Sequence, residues 1–364
     1  MYSHVDGSYE SLARALFEEM ITGHDLNEGQ YNPRHLNTDE IWQALSTLFT
    51  SRSKNSTSYK YGFLKAILDN LYNVDADLVL TFDQLFGKFA EIYWNLVTKY
   101  GVEQMPGSKV SAIETVLTEF VQRNHIVEGV PFESLTDEQK VRLSQRVKNK
   151  CKHNVVGALY GDTGCIFYSF SKQGEWIRFN PQVYEYVCRR KTALEKLNYY
   201  EWAKYLEKIN SAETTLNLLT KLDESAKRSN LDVYRQILFD EFESKECFYC
   251  GRRLRDEGIQ VDHFIPWAFI KDDKLWNMVL ACPSCNNKKR DKLAATPYLD
   301  KLIVRNKEIR LHYYDDRLHQ PKHGANIRGA EEMRNYKSTG LLNIYNYAQE
   351  NGYDDIWLPT QIAR

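Results

Sequence analysis

The chain has 364 residues, enough for two or three domains of ordinary size. Its 48 Lys and Arg against 49 Asp and Glu give a net charge of −1, which excludes a uniformly basic protein that coats nucleic acid but leaves room for a local basic patch. A hydrophobic content of 43% excludes wholesale disorder, no apolar run approaches the ~18 residues of a membrane span, and the opening MYSHVDGSYES is polar and acidic rather than a signal peptide. A soluble, cytoplasmic protein that does not engage membranes is expected.

Residues 1–130 are predicted to form a helical domain. Asn37 and Glu40 have capping-box spacing, and Ile41, Leu45, Leu48 and Phe49 follow at helical intervals. A second stripe is Leu64, Ile67, Leu68 and Leu71. A third is Leu85, Phe89, Ile92, Tyr93 and Leu96, with Gly101 as its stop, and a fourth is Ile113, Val116, Leu117 and Phe120. Segment 51–58 reads as a polar loop. Residues 131–243 form a mixed region: Thr136 and Gln139 open a basic helix through Lys150, and 157–180 is rich in β-branched and aromatic residues split by Lys172-Gln173-Gly174. That segment predicts a small hairpin or three-stranded sheet, on which Tyr160, Tyr168 and Trp176 form either core or a base-stacking surface. Arg189, Arg190 and Lys191 are either phosphate contacts or a solvated helix face. A third region spans 244–300, and 301–364 reads as a helical and loop extension. The fold class is therefore mainly α with a small β segment.

Seven cysteines without a secretory signal do not form a disulfide framework. Cys151, Cys165 and Cys188 are scattered and read as small buried hydrophobes. The other four form two C-x-x-C pairs, Cys247/Cys250 and Cys282/Cys285, with 31 residues between the pairs. Two residues between thiolates let both face one ion, so the four match a tetrahedral structural Zn²⁺ site. Gly251 suits the tight turn after the first pair.

Between the pairs, Val261-Asp262-His263 ends a short apolar strand and Met278–Ala281 is a second strand. Neighbouring side chains on a strand point to opposite faces, so Asp262 and His263 can share a site only where the strand ends or bulges. A helix is expected after the second pair, with Asn286 as its cap. Asp262 offers a carboxylate and Asn286 an amide oxygen to a hard cation such as Mg²⁺. His263 can take a proton from water, and Lys288, Lys289 and Arg290 can hold a phosphate backbone. Each element also has a plainer reading: Asp262-His263 as a strand end, Asn277 as a turn residue, the basic triplet as a solvated face. Their conjunction between the thiol pairs favours metal-assisted phosphodiester hydrolysis.

This stretch resembles the HNH endonuclease motif of the ββα-metal fold, in its four-cysteine form and with Asn286 in the position often held by His. The resemblance covers about 247–293. It implies His263 as general base, Asp262 and Asn286 as ligands of a catalytic Mg²⁺, Asn277 as the residue that orients the loop and the histidine, and Lys289 at the phosphate. The separations of Asp262 from Asn277 and from Asn286, 15 and 24 residues, resemble those in the HNH domain of the RNA-guided CRISPR nuclease. The Thr57–Leu64 segment resembles N-terminal regions of bacterial HNH proteins from defence settings. DNA is the expected partner in a restriction or anti-phage role, in which a partner subunit or a second copy of the chain has a natural place. Cleavage of RNA, or a zinc module that binds nucleic acid without cutting it, are the alternatives. Residues 245–292 carry ten Lys and Arg against seven Asp and Glu, a local excess in a chain that is otherwise balanced.

Overall fold

The structure, a computed structural model, describes residues 23–50, 56–107, 109–226, 231–241, 246–255, 258–314, 332–333 and 336–359. The opening segment, most of the polar loop expected at 51–58, and part of the C-terminal extension lie outside these. The chain divides into two compact units. The first comprises Met1–Leu68, Asp77–Val187 and Leu194–Ala226; the second comprises Asp69–Ala76, Cys188–Ala193 and Lys227–Arg364. The mixed region expected at 131–243 is thus shared between them, and most of it folds with the helical N-terminal part.

The first unit holds helices α1 (Thr38–Ser46), α2 (Tyr59–Asp69), α3 (Phe82–Tyr93), α4 (Ala112–Arg123), α5 (Asp137–Asp162), α6 (Pro181–Arg189), α7 (Lys191–Glu207) and α8 (Leu218–Asp223), except that Asp69, the last two residues of α6 and the first three of α7 fall in the second. Local chemistry sets where they start. Asn37 with Glu40, Thr81 with Gln84, Ser111 with Glu114 and Thr136 with Gln139 form reciprocal capping boxes, each cap worth about 0.5–2 kcal/mol. Helix α3 runs on into a π-helical turn at Trp94–Lys99 and stops at Gly101, whose φ of +64° suits a residue without Cβ. The apolar stripes of α3, α4 and α5 converge on a core of Phe63, Phe86, Phe89 and Trp94, with the Phe89 and Tyr93 ring centroids 4.6 Å apart.

Helix α5 continues twelve residues beyond Lys150, into sequence expected to be β, because Val155, Val156, Leu159 and Tyr160 extend its buried stripe. The predicted hairpin begins later, as β3 (Tyr168–Ser171) and β4 (Trp176–Phe179). It is flanked by β1 (Glu28–Gly29) and β2 (Val79–Thr81) in an antiparallel sheet of order β1-β3-β4-β2. Tyr160 and Tyr168 are buried, and their hydroxyls donate to the Gln30 and Val156 carbonyls. A base-stacking role for them is thereby excluded: both rings are core, and only half-buried Trp176 reaches solvent.

The second unit is built on α9 (Asp232–Gln236), β5 (Gln260–His263), α10 (Trp267–Ile270), β6 (Met278–Ala281), α11 (Pro283–Lys289), β7 (Leu293–Ala294), α12 (Thr296–Tyr314), α13 (Ser338–Glu350) and β8 (Ile356–Trp357). Strands β5 and β6 pair antiparallel, with Gln260 opposite Ala281 and His263 opposite Met278; β7 and β8 pair parallel. Phe264, Ile265, Leu275 and the whole of β6 are buried with Leu299 and Leu302 of α12 and with Tyr345 of α13. From α12, the Arg305 guanidinium donates to the Met278 carbonyl and the Asn306 amide to Trp276, 2.7 Å away, so this helix braces the connection between the strands. Of the basic triplet at 189–191, Arg189 pairs with Glu350 and the buried Lys191 ammonium donates to the Phe269 carbonyl at 2.8 Å. Burial and this hydrogen bond exclude Lys191 as a phosphate contact.

Candidate nuclease site

At one end of the β5–β6 hairpin the four cysteine sulfurs all lie within 4.8 Å of one another. The first pair sits in a tight knuckle. Gly251, at φ +69°, turns the chain so that its N–H reaches the Cys247 carbonyl at 2.9 Å, while the Phe248 N–H ties the knuckle to Leu280 of β6 at 2.8 Å. The second pair is the first turn of α11: Cys282 caps the helix, Pro283 occupies its first position, and the Asn286 N–H bonds the Cys282 carbonyl. Asn286 is therefore inside the helix rather than its cap, because Pro283 starts the helix three residues earlier. Four sulfurs about 2.3 Å from one tetrahedral ion lie about 3.8 Å apart, and the Cys250 and Cys282 sulfurs are 3.9 Å apart. Burial pushes the Cys247 and Cys285 thiols up. At Cys282 burial also pulls upward but is outweighed by hydrogen bonds from the Cys285 N–H and the neighbouring thiols, and the net direction is down. Four sulfurs this close fit a soft cation.

At the other end, β5 stops at His263, and this termination resolves the alternation problem. Asp262 and His263 both line a cavity of about 410 Å³, together with Asn286, Asn287, Trp267 and Arg290. Asn277 holds the turn that follows. It is fully buried; its Oδ1 accepts from the Ile265 N–H at 2.8 Å, its Nδ2 donates to the Ile265 carbonyl at 2.9 Å, and its own carbonyl accepts from the Phe264 N–H. One amide side chain thus closes a backbone loop whose polar groups would otherwise be orphaned in the core.

Asp262 is buried, and its Oδ2 accepts from the Tyr249 hydroxyl at 2.5 Å. Burial, and then the Asp262 carboxylate, hold the Tyr249 phenol far above its usual range, so it remains a donor. Lys289 is also buried: its ammonium lies 3.1 Å from Asp262 Oδ2 and donates to the His263 carbonyl at 2.7 Å. The basic triplet therefore splits. Lys289, expected at phosphate, is turned inward to Asp262, because Cys285 and Lys289 stand four apart on the inner face of α11. Lys288 and Arg290 are exposed, and of these two Arg290 lines the cavity. Asn286 Nδ2 donates to Gln260 Oε1 at 2.8 Å, which commits its nitrogen and leaves its amide oxygen as the donor for a cation. The oxygens of Asp262 and Asn286 fit a hard divalent ion.

His263 Nε2 lies 2.7 Å from Asp273 Oδ1, and both side chains are buried. Beside Asp272 in the chain, Asp273 carries no distinguishing mark. Gln260 and Tyr249 were equally hidden, the latter inside a cysteine pair where it reads as apolar filler.

A two-stranded hairpin and a following helix define a ββα module beside a cluster of four thiols close enough for a metal site. Residues 247–295 match the family model described as HNH endonuclease, and this segment of the C-terminal half is an HNH endonuclease domain. No curated protein and no solved structure matches the chain. Among the described residues no helix is long and apolar enough to cross a membrane.

Proposed function

We propose that the protein is a metal-dependent DNA endonuclease in which Zn²⁺ on Cys247, Cys250, Cys282 and Cys285 is structural and Asp262 with Asn286 would hold a catalytic Mg²⁺ or similar ion. The observation that carries this reading is that one cavity is lined by Asp262, His263 and Asn286 together. His263 accepts the proton of a water molecule, the water oxygen bonds to phosphorus, the P–O bond to the sugar breaks, and the leaving oxygen takes a proton from solvent. A positioned base of this kind contributes about 10²–10⁴-fold. A divalent cation in the site supplies charge stabilisation at the phosphate oxygens and the leaving oxygen. Asn277 keeps His263 at the cavity by fixing the residues after it, Lys289 balances the buried charge of Asp262, and exposed Lys288 and Arg290 meet the nucleic-acid backbone.

DNA as substrate and a restriction or anti-phage role rest on the family resemblance and the local excess of basic residues. The test is cleavage of supercoiled plasmid, single-stranded DNA and total tRNA side by side, with Mg²⁺ and with EDTA. Mg²⁺-dependent nicking of plasmid is expected. Cutting confined to tRNA would replace the DNA reading with an RNA-directed one, and tight binding without cleavage of any substrate would leave a binding module.

A further inference from the structure

An imidazole can serve as a base through only one nitrogen at a time, and the nitrogen is chosen by what the other one meets. Here Nε2 of His263 meets a buried carboxylate, Asp273 Oδ1, at 2.7 Å. An ionised carboxylate only accepts hydrogen bonds, so Nε2 must carry the proton of the neutral ring and Nδ1 the lone pair.

Asp273 is itself held. Its N–H donates to Asp272 Oδ1 at 2.9 Å, and its carbonyl accepts from the Tyr234 hydroxyl at 2.6 Å. That hydroxyl also lies 2.8 Å from Glu332 Oε1, while Glu332 Oε2 accepts from the Leu275 N–H at 2.6 Å. Preceding it, Lys271 adopts a left-handed φ of +60°, a conformation that a non-glycine residue keeps only where its surroundings enforce it. Residues 271–275 are thus braced from α9 and from Glu332, and the braced segment carries one carboxylate to one ring nitrogen.

We infer that Asp273 is a positioning residue that fixes His263 in its Nε2–H form, so that Nδ1 is the atom which takes the proton from the attacking water. This rests on the reading of His263 as the proton acceptor. When water gives its proton to Nδ1, the ring becomes a cation whose Nε2–H still points to the Asp273 carboxylate, which stays ionised and lowers the cost of that charge. Where a buried carboxylate orients a catalytic imidazole in this way, an amide in its place keeps the shape, presents the wrong tautomer and costs about 10⁴-fold in rate.

The direct test reads the wild-type ring itself. The full-length, zinc-loaded protein is labelled with ¹⁵N-histidine, and the His263 signals are assigned as those absent from the His263→Gln spectrum. Two-bond proton–nitrogen correlations then show which nitrogen is protonated. Protonated Nε2 with a lone-pair Nδ1 is expected; protonated Nδ1 would overturn the inference. Asp273→Asn is the kinetic arm. Its cleavage rate should fall by at least about 10²-fold with an unchanged half-saturating Mg²⁺ concentration and unchanged zinc content, and its His263 signals should move to the other tautomer. Wild-type cleavage by a folded Asp273→Asn protein would also overturn the inference; should that variant not fold, the wild-type tautomer decides. The two proposals fail separately. A His263→Ala protein that still cuts refutes the base assignment whatever the tautomer, whereas a dead His263→Ala beside an active Asp273→Asn refutes only the role of Asp273.

Discussion

The two ends of the β5–β6 hairpin use buried polar groups for opposite purposes. Beyond the Gln260–Ala281 pair, four sulfurs converge within 4.8 Å of one another. Where β5 ends, Asp262 and His263 line a cavity that Asn286 of α11 joins. Both ends carry side chains that would be costly to bury alone. The difference lies in what satisfies them: the four thiols are placed so that one ion could do it, whereas Asp262 and His263 already have Tyr249, Lys289 and Asp273. On the proposed reading, folding would depend on metal at the thiols, while Asp262 and His263 are preorganised by the protein itself.

This contrast is broken most severely at the thiols. Cys282→Ser should abolish zinc binding, measured as loss of one zinc per chain by elemental analysis, and should remove the cooperative melting of the second unit. Structural zinc sites in small modules are worth about 10–16 kcal/mol of apparent binding energy. The core shared with α12 and α13 makes the second unit larger than an isolated hairpin and helix, so the first unit should still melt as a separate transition.

Lys289→Met comes next. It leaves Asp262 charged, buried and without its ammonium partner, and should cost about 3–5 kcal/mol in urea unfolding. A surface phosphate contact would instead lose affinity at constant stability. Asn277→Ala orphans the N–H and the carbonyl of Ile265, and a loss of at least about 2 kcal/mol is expected at roughly 1–3 kcal/mol per unsatisfied group. Activity should fall with it, because the same bonds place His263. Arg290→Ala should have the smallest effect: unchanged stability, a few-fold weaker DNA binding, and a shallower dependence of that binding on salt, lowered by about one phosphate contact.

Much of the site was legible because its chemistry is local in sequence. The C-x-x-C pairs, the Asp262-His263 strand end, Asn277 and Asn286 all lie within one segment, and their spacing reflects a hairpin and one helical turn. What escaped lies in partners rather than ligands. Lys289 read as one of three basic residues, although its four-residue spacing from Cys285 on a helix that begins at Pro283 places it inward. Asp273 is unmarked in the sequence, and only the folded connection brings it to His263. In the first unit, the helix starts at Asn37 and Thr136 were legible from their capping boxes. The far end of α5 was not, because Gly157-to-Tyr160 has strand-like composition and a helical burial pattern. The extension at 301–364, read only as helices and loops, supplies α12 and α13 to the core of the second unit.

The central claim is that the cavity end cuts and the thiol end only holds. It is tested most directly by plasmid nicking with zinc-loaded wild-type and His263→Ala proteins across a Mg²⁺ titration, each checked for the same melting temperature. The account predicts Mg²⁺-dependent nicking by the wild type and a loss of about 10²–10⁴-fold in a variant that is equally stable. Equal nicking by both proteins would contradict it.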